Sequence, residues 1–543
     1  MSSRFALFLL VPMISGAATQ SAPAISGVVN AASNLAPGLP GSGIAQGAIF
    51  TVYGSYLGPA SPCWGSIPYT SSLCGVSLTV TVNGTSTYPI PTFVYSTQIN
   101  AILPSLTPAG NGTITVTYNN QTSTTSPIQV VTAGFGTFTP TYGAGQASVT
   151  DLNYNLNTII HTLHPADYGI LWGTGLGAVS GGDANAPPFG SVGTPTVYVG
   201  NTPETLSSGL LLYAGRAPGW PGLDQIDFTV PQGVQGCYVP IAVEAGGVMS
   251  NFGTIAVSPA GTNTCSDSVI GQDMINQLAS GSSVNFGYIR LESIALSAYV
   301  GIVEGGPGSG DSAYATFSGF TPQTAYYAEY GVSSGYCASA QFNLDDLSIA
   351  QLDAGPTLSI QGPLVAPGPL TNYGGGSYYV ALGAIAGKYM FSDVQYTVAG
   401  TGGANVGSFT AADTTSIPGA KLTGVNNQTL SRSSDLTVQW TYPNANTLPN
   451  NPVVIGGASF TDNDAQGMEF ECTAPAGATT FTIPVRVLST LPQSGTSPQG
   501  SLTYPLGYIW IGQYNNPTTF QAKGLDRGII TDVFYQGAYV TFN

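Results

Sequence analysis

A short motif occurs twice in the chain and constrains its fold more than any other feature. Residues 98–104 read QINAILP, and residues 225–231 read QIDFTVP. Both segments alternate apolar and polar residues and end on proline, which is typical of a β-strand that stops where the ladder loses a donor. Neither segment contains a nucleophile, a pair of metal ligands or a phosphate-binding loop. The repeat therefore indicates a duplicated structural unit rather than a catalytic one.

The sequence around the motif is repeated in the same order. An apolar strand that runs into a glycine-rich turn occurs at 50–58 and again at 169–177. Each copy has about seven short alternating runs, the pattern of an immunoglobulin-like β-sandwich. The sequence therefore predicts two tandem sandwiches, over residues 25–132 and 135–258.

The composition favours the same fold class for the rest of the chain. Only 6% of the 543 residues are charged, and the 72 Gly and 39 Pro favour turns and strands over helices. Alternating runs predict a third β-sandwich over 283–412 and a fourth over 413–543. Residues 259–282 between them read as a linker with one short helix, for which Asp273 is the predicted N-cap. The predicted fold class is all-β.

Two segments carry a resemblance to a known family. Residues 27–58, GVVNAASNLAPGLPGSGIAQGAIFTVYGSYLG, resemble the start of the Solibacter-type C-terminal domain family of acidobacterial secreted proteins, and residues 211–257 resemble its end. The resemblance covers roughly residues 25–260 and implies tandem TIG-type immunoglobulin-like sandwiches in an exported protein. It implies no reaction. Asp224 departs from the family pattern, which has an aromatic or neutral residue at that position.

Residues 1–21 have the layout of a secretory signal peptide. Arg4 precedes an apolar run from Phe5 to about Ile14, and small residues follow as far as Ala18. No later stretch reaches the eighteen or so apolar residues of a membrane-spanning helix. Nine Lys and Arg against 25 Asp and Glu give a formal charge of −16, which argues against nucleic acid as a partner. We expect a protein that is secreted or held at the cell surface by contacts.

Six cysteines fit an oxidising compartment. Because no C-x-x-C spacing is present, disulfides are predicted rather than metal ligands. The predicted pairs are Cys63 with Cys74 and Cys237 with Cys265, which leaves Cys337 and Cys472 either to join two C-terminal domains or to stay free.

Residues able to support catalysis are few. His161 and His164 have no carboxylate or cysteine beside them in sequence and make a poor metal site. The chain contains no G-x-S-x-G motif. Glu469 and Glu471 would share one face of a strand, which fits either a glycosidase pair or two solvated carboxylates. We therefore predict a protein that is not an enzyme and has no cofactor.

One weak metal signal remains. Residues 462–467, DNDAQG, resemble the first half of a calcium loop, with Asp462 and Asp464 two residues apart. Thr473 stands where an EF-hand needs its acidic twelfth ligand, so the full motif is not met. A looser calcium-binding turn and an ordinary Asx turn both fit this segment.

Aromatic residues are the remaining candidates for function, at 10% of the chain. The candidate ligand-binding residues are Trp64, Tyr69, Arg216 and Trp220, because all four lie in predicted loops. Exposed Tyr and Trp can stack on sugar rings or anchor an interface. Loop aromatics that cap a sandwich core would give the same sequence signal.

The leading functional prediction is an exported, non-catalytic interaction protein that contributes to adhesion, assembly or the binding of an extracellular polymer or protein. One alternative is a polysaccharide-active enzyme or a carbohydrate-binding accessory module. Another is a structural fibre or surface-layer subunit, favoured by the scarcity of Lys on potential edge strands. The sequence does not determine the oligomeric state.

Overall fold

The computed structural model describes residues 21–296, 310–324, 331–341, 349–364, 366, 368–374, 376–382, 389–416, 419–425, 427–442, 451–462, 466–499 and 502–543. The predicted signal peptide therefore lies almost wholly outside the described residues. The fold is all-β and begins with tandem immunoglobulin-like sandwiches.

The first sandwich has two sheets that enclose one hydrophobic core. The sheets have the orders β1-β3-β9-β8-β4 and β2-β12-β10-β6-β5, with β7 beside β6 and β11 beside β10. Buried Phe50 and Ile99 from the first sheet pack with Leu78 and Ile114 from the second. Its strands are β1 (Ala24–Asn30), β2 (Ile44–Ala45), β3 (Ile49–Ser55), β4 (Cys63–Trp64), β5 (Ser72–Leu73), β6 (Val76–Val82), β7 (Thr85–Thr87), β8 (Ile90–Val94), β9 (Gln98–Ile102), β10 (Gly110–Tyr118), β11 (Gln121–Thr122) and β12 (Ser126–Val131).

The second sandwich repeats this arrangement. Its sheets have the orders β13-β15-β19-β18 and β17-β16-β20-β21, with β14 beside β15 and β22 beside β20. A 3-10 turn covers Leu206–Ser208. Its strands are β13 (Gly136–Thr137), β14 (Val149–Thr150), β15 (Tyr168–Thr174), β16 (Thr196–Val199), β17 (Thr202–Glu204), β18 (Leu211–Arg216), β19 (Asp224–Thr229), β20 (Gly236–Ala245), β21 (Val248–Met249) and β22 (Gly253–Val257).

The duplicated motif occupies the same place in both sandwiches. It forms β9, which pairs with β3 and β8, and β19, which pairs with β15 and β18. In each copy this is an internal strand with neighbours on both sides. The closing proline lies just beyond the ladder, where no backbone donor is needed.

Residues 259–282 form a packed connection that contains the predicted helix, α1 (Gln272–Ala279). The predicted N-cap is wrong, because Gly271 caps the helix and Asp273 lies in its first turn. Gly271 has φ +86°, a conformation that glycine adopts without a steric cost. The helix buries Met274, Ile275 and Leu278 against side chains of the second sandwich and of the C-terminal half.

A second helix, α2 (Val485–Leu488), lies in the C-terminal half. In the described part of the chain, no helix combines the length and the apolar character that crossing a membrane requires.

One long sheet runs through the C-terminal half. Its order is β25-β36-β35-β40-β42-β23-β24-β29-β28-β27-β30-β31, with β26 beside β24 and with β33 and β41 beside β42. Smaller sheets are β32-β34-β37 and β38-β39. The strands are β23 (Val284–Leu296), β24 (Asp311–Phe320), β25 (Cys337–Gln341), β26 (Ala350–Gln351), β27 (Thr357–Gln361), β28 (Leu370–Gly374), β29 (Ser377–Ala381), β30 (Gln395–Gly400), β31 (Phe409–Thr414), β32 (Lys421–Thr423), β33 (Gln428–Leu430), β34 (Leu436–Thr441), β35 (Val453–Phe460), β36 (Gly467–Ala474), β37 (Thr480–Ile483), β38 (Thr496–Gln499), β39 (Leu502–Pro505), β40 (Gly507–Tyr514), β41 (Thr518–Phe520) and β42 (Arg527–Phe542).

The predicted division of the C-terminal half into separate sandwiches at 283–412 and 413–543 differs from the structure, in which one sheet contains strands of both. Strands β23 and β42 pair in parallel over Phe286–Leu296 and Arg527–Gly537, so the two predicted units share one sheet. Parallel pairing of strands so distant in sequence leaves no local turn signal. Within the described residues, the two largest hydrophobic clusters against this sheet are nevertheless separate, one around Phe317 and Tyr378 and one around Phe470 and Trp440.

All six cysteines are paired, as Cys63–Cys74, Cys237–Cys265 and Cys337–Cys472. The first two pairs are those predicted. The third pair resolves the alternative that the sequence leaves open, because Cys337 and Cys472 lie opposite each other on neighbouring strands of the long sheet, with their Cα atoms 4.0 Å apart.

The sequence separations of the disulfides predict unequal contributions to stability. Replacing Cys337 and Cys472 together by alanine frees a loop with a separation of 135 residues, against 11 for Cys63 and Cys74. Loop entropy predicts a loss in the free energy of unfolding of about 5 kcal/mol for the first pair and about 3 kcal/mol for the second. Urea denaturation of both double variants measures these losses. A larger loss from the short loop would contradict the prediction.

Candidate functional site

Arg216, predicted to bind a ligand from an exposed loop, is instead buried at the end of β18. Its side chain is 3% exposed and forms an ion pair with Asp224, which is 0% exposed. Nη1 donates to Asp224 Oδ1, while Nη2 donates to the carbonyls of Gly47 at 2.9 Å and Gly177 at 2.8 Å. Gly47 belongs to the first sandwich and Gly177 to the second. Arg216 therefore joins the two sandwiches, and its position corrects the prediction because a solvent-borne ligand cannot reach it.

Asp224 completes this buried network at the start of β19. Its Oδ2 accepts hydrogen bonds from the amides of Gly175 at 2.6 Å and Leu176 at 2.8 Å. Burial raises the pKa of Asp224, and Arg216 and the two amides oppose that shift. Charge-assisted donors on both oxygens are what a carboxylate needs in a site without solvent.

A second contact fixes the spacing between the sandwiches. The Thr174 hydroxyl accepts a hydrogen bond from the Ile49 amide at 2.8 Å and donates to the Gly222 carbonyl at 2.6 Å. A Cβ atom on Gly222 would lie 2.7 Å from the Ile49 side chain and 2.9 Å from that of Ile102. Only glycine permits this close approach, and its φ of +77° also favours glycine.

The Arg216–Asp224 pair closes the turn that carries Trp220. The Ala217 amide donates to the Leu223 carbonyl at 2.9 Å, and the Trp220 amide donates to the Ala217 carbonyl at 3.0 Å. The Trp220 side chain is 61% exposed. A buried network thus holds an exposed indole in a fixed turn.

The loop between β15 and β16 crosses onto the first sandwich. Asp183 accepts hydrogen bonds from the Ser105 amide at 2.8 Å and the Ser105 hydroxyl at 2.6 Å. The Ala184 carbonyl accepts from the Tyr69 amide at 2.8 Å, and the Pro187 carbonyl accepts from the Gly219 amide at 3.0 Å. One short segment therefore contacts both the loop that carries Tyr69 and the turn that carries Trp220.

Trp64 lies on the first sandwich, at the start of the loop that also carries Tyr69. It follows Cys63 in β4, is 74% exposed, and has its ring centroid 4.5 Å from that of Phe93. The Cys63–Cys74 disulfide closes the loop that also contains Tyr69. The half-buried Tyr69 ring packs against the backbone of Gly65, where a Cβ atom would lie 2.9 Å from the ring.

The structure adds one aromatic residue that the sequence analysis missed. Phe189 is 67% exposed and stacks on Tyr213 with a centroid distance of 4.1 Å. The Tyr213 hydroxyl donates to the Arg216 carbonyl at 2.7 Å, which ties this stack to the buried pair. The loop origin of Phe189, directly after two prolines, is the same signal that singles out Trp220.

The junction is the boundary between the first and second sandwiches, and we call Trp64, Tyr69, Phe189 and Trp220 the junction aromatics. Ala184 contacts the loop of Tyr69, and Pro187 contacts the turn of Trp220. These two residues are three positions apart, so their Cα atoms are at most about 11 Å apart. One segment of the second sandwich therefore contacts both the loop of Tyr69 and the turn of Trp220, Trp64 lies beside Tyr69 in the loop closed by Cys63 and Cys74, and Arg216 is buried at the base of the Trp220 turn.

Each of the two histidines pairs with an aspartate in a turn. His161 Nε2 lies 3.2 Å from Asp151 Oδ2, and His164 Nδ1 lies 2.8 Å from Asp167 Oδ2. Burial lowers the pKa of His164, but hydrogen bonds to the Thr262 carbonyl and Asp167 outweigh it, so that the pKa is raised. Among the described residues, no three His, Cys, Asp or Glu side chains are grouped closely enough to hold a metal ion.

The predicted calcium turn is only partly described. Asp462 Oδ1 accepts a hydrogen bond at 2.9 Å from the amide of Thr496, a residue 34 positions further along the chain. Asp464 lies outside the described residues.

Glu469 and Glu471 do share one face of β36, as predicted. Glu469 is exposed and Glu471 is half-buried. Burial, and then the charge of Glu469, raises the pKa of Glu471 to about 7. Cross-strand pairing of Glu471 with Gly456, and of Gly456 with Trp510, puts Glu471 and Trp510 on the same face of the sheet.

Around Glu471 lies a set of strand-borne aromatic residues, here called the C-terminal aromatic row and consisting of Trp510, Tyr514 and Tyr535. Tyr535 makes edge contacts with Trp510 at 5.3 Å and with Tyr514 at 6.0 Å, and the two tyrosine hydroxyls lie 2.5 Å apart. The sequence analysis missed this row, although the spacing of Tyr508, Trp510 and Tyr514 at even intervals in β40 places them on one face.

Comparisons with known proteins give fold likenesses only. No family model matches the chain, and no curated protein matches it. Among solved structures, the chain is similar to Sidekick-1 immunoglobulin domains 1–4, with 11% identity over 96% of this chain and 99% of that one and a TM-score of 0.12. It is similar to SGBP-B from a complex xyloglucan utilization locus in Bacteroides uniformis, with 11% identity over 92% and 99% and a TM-score of 0.16. It is also similar to domains 5–6 of the S-layer protein SbsC, with 14% identity over 44% and 99% and a TM-score of 0.16. These TM-scores are too low to contribute to an assignment of function.

The buried pair predicts a large and coupled effect on stability. Arg216→Met leaves Asp224 buried without its cation and is expected to lower the free energy of unfolding of the first two sandwiches by about 3–5 kcal/mol. The double variant Arg216→Met with Asp224→Leu should lose less than Arg216→Met alone, because it buries no unpaired charge. Urea denaturation measures both values.

His161→Gln serves as the control for this experiment, because it removes a partly exposed ion pair and should cost less than about 1 kcal/mol. A loss in the double variant as large as that in Arg216→Met alone, or larger, would show that Arg216 and Asp224 do not act as a pair.

Proposed function

We propose that this protein is an exported, non-catalytic interaction protein that binds an extracellular polymer, a polysaccharide, through the junction aromatics. The observation that carries the proposal is the exposure of Trp64, at 74%, on the short strand β4, together with that of Trp220, at 61%, on a turn that buried contacts hold in place. Single exposed aromatic residues are common on protein surfaces, but exposed aromatic residues on loops that contact one shared segment, as those of Tyr69 and Trp220 do, favour an interaction site.

The chemistry of the surface supports a neutral, ring-containing ligand. Aromatic rings offer flat apolar faces for stacking on sugar rings, and Trp and Tyr add a polar group at the edge. The chain is poor in charge and carries a formal −16, which disfavours polyanions. A ligand that contacts Trp64 and Trp220 together spans two sandwiches, so the fixed junction lowers the entropic cost of binding.

Export is supported by the three disulfides and by the predicted signal peptide over residues 1–21. A protein outside the cytoplasm can also encounter insoluble polymers. The polysaccharide-active alternative has one specific observation in its favour, the raised pKa of Glu471, which is the property of a general acid.

Retention on insoluble polysaccharides tests the proposal. The purified protein is incubated with a panel of such polymers, and bound protein and new reducing ends are both measured. We expect saturable retention without new reducing ends. Trp64→Ala and Trp220→Ala should each weaken retention by about tenfold or more, because truncating a central aromatic anchor typically costs 2 kcal/mol or more.

Tyr88→Ala is the matched control, since Tyr88 is 62% exposed on the first sandwich and is not a junction aromatic. Equal losses in all three variants would contradict a site at the junction. New reducing ends that disappear in Glu471→Gln would establish the enzymatic alternative instead. Concentration-dependent assembly without retention would favour the structural-subunit alternative.

A further inference from the structure

A pair of buried carboxyl groups lies far from the junction, inside the C-terminal half. Asp413 on β31 is 7% exposed, and Asp532 on β42 is 1% exposed. Both point inward, because alternate residues on their strands, Ala411 and Ile530, belong to the same hydrophobic core. Acidic side chains are seldom buried this deeply without a partner.

The hydrogen bonds to this pair leave one oxygen of each carboxyl group without a donor. Asp413 Oδ1 accepts from the Thr518 hydroxyl at 3.2 Å. Asp532 Oδ2 accepts from the Ser416 amide at 3.0 Å and from the Asn515 side-chain amide at 2.7 Å. The other two oxygens, Asp413 Oδ2 and Asp532 Oδ1, are buried, and no donor from the described residues reaches either of them.

The two carboxyl groups are within hydrogen-bonding contact of each other, yet carboxylate oxygens only accept. None of the ion pairs in the described part of the chain includes either residue. Two adjacent buried negative charges are strongly unfavourable unless a positive charge lies between them. The arrangement therefore calls for a cationic occupant.

We propose that Asp413 and Asp532 form a calcium site, with the ion held between their two unpaired oxygens. Oxygen ligands without nitrogen or sulfur are the set that Ca²⁺ prefers, and its flexible coordination of six to eight ligands suits an irregular site better than Mg²⁺ does. The two oxygens are themselves buried, but Thr518, whose hydroxyl donates to Asp413 Oδ1, is exposed, so the ion and its water ligands would enter past Thr518.

The ion would connect two distant parts of the long sheet. Asp413 lies on β31, the last strand in the sheet order, and Asp532 lies on β42, which pairs with β40 and β23 in its interior. The sheet thus curls until its edge meets its centre, and the ion clamps the two parts over the shared core. Only two carboxylates contribute charge, so we expect a dissociation constant of about 0.1–1 mM, as in other extracellular calcium modules.

The competing occupant is a proton shared by the pair. Burial, and then the charge of Asp532, raises the pKa of Asp413 to about 6. Below that pH, a shared proton would neutralise part of the negative charge of the pair. Above that pH, a calcium ion would neutralise it.

Thermal unfolding of the full protein separates the two occupants. At pH 7.5, we expect 10 mM Ca²⁺ to raise the melting temperature of the C-terminal half by several degrees relative to EDTA, and Asp413→Asn to abolish the rise. Equilibrium dialysis of the wild-type protein against ⁴⁵Ca²⁺ should find one bound ion, which keeps the test valid if Asp413→Asn folds poorly.

Asp462→Asn is the matched control, because Asp462 belongs to the turn that the sequence predicts as a weak calcium candidate. Loss of the calcium effect in Asp462→Asn, but not in Asp413→Asn, would overturn the proposal. A melting temperature that ignores calcium but rises between pH 7.5 and 5 in wild type, and not in Asp413→Asn, would show that the pair holds a proton only.

Discussion

The buried ion pair of Arg216 and Asp224 is the interaction on which the N-terminal half of this protein depends. One guanidinium contacts a carboxylate of its own sandwich and a backbone carbonyl from each of two sandwiches. Because a buried charge is tolerated only when its partners are correctly placed, this pair requires the two domains to adopt one relative arrangement. A purely apolar contact of the same size would allow more relative movement.

The aromatic surface follows from that constraint. The turn of Trp220 begins directly after Arg216, and Phe189 stacks on the tyrosine whose hydroxyl binds the Arg216 backbone. The segment around Asp183 then ties the same region to Ser105 and Tyr69 of the first sandwich. Exposed loops are usually mobile and lose conformational entropy when they bind a ligand. Here buried polar contacts already order the loops, so the entropic cost of binding is smaller.

The sequence predicts the features that have a local signature. The repeated strand predicts the duplicated sandwich because alternation and a closing proline describe an internal strand wherever they occur. The spacing of Cys63 and Cys74 indicates a disulfide because such a short loop closes easily. Trp64 and Trp220 are assigned to loops because glycine and proline around them describe turns, whereas the sequence leaves open whether they cap the core or face solvent.

Features that depend on contacts between distant residues are not visible in the same way. Arg216 appears in the sequence as a lone cation near a turn, and only the fold shows that Asp224 lies beside it. The position of Asp224 directly before the predicted internal strand QIDFTVP is the signal that could have linked them, since an acid buried at a strand calls for a cation. The parallel pairing of β23 with β42 and the carboxyl pair of Asp413 and Asp532 likewise join segments more than a hundred residues apart, and the C-terminal aromatic row joins two strands of the long sheet.

The central claim is that a ligand lies across the junction of the first two sandwiches. Hydrogen–deuterium exchange, measured with and without a soluble fragment of whichever polymer retains the protein, tests it most directly. The account predicts that binding slows exchange in two segments together, residues 63–72 and residues 217–223, one from each sandwich. Exchange that slows only in residues 507–514, or that slows in neither of the first two sandwiches, would contradict it.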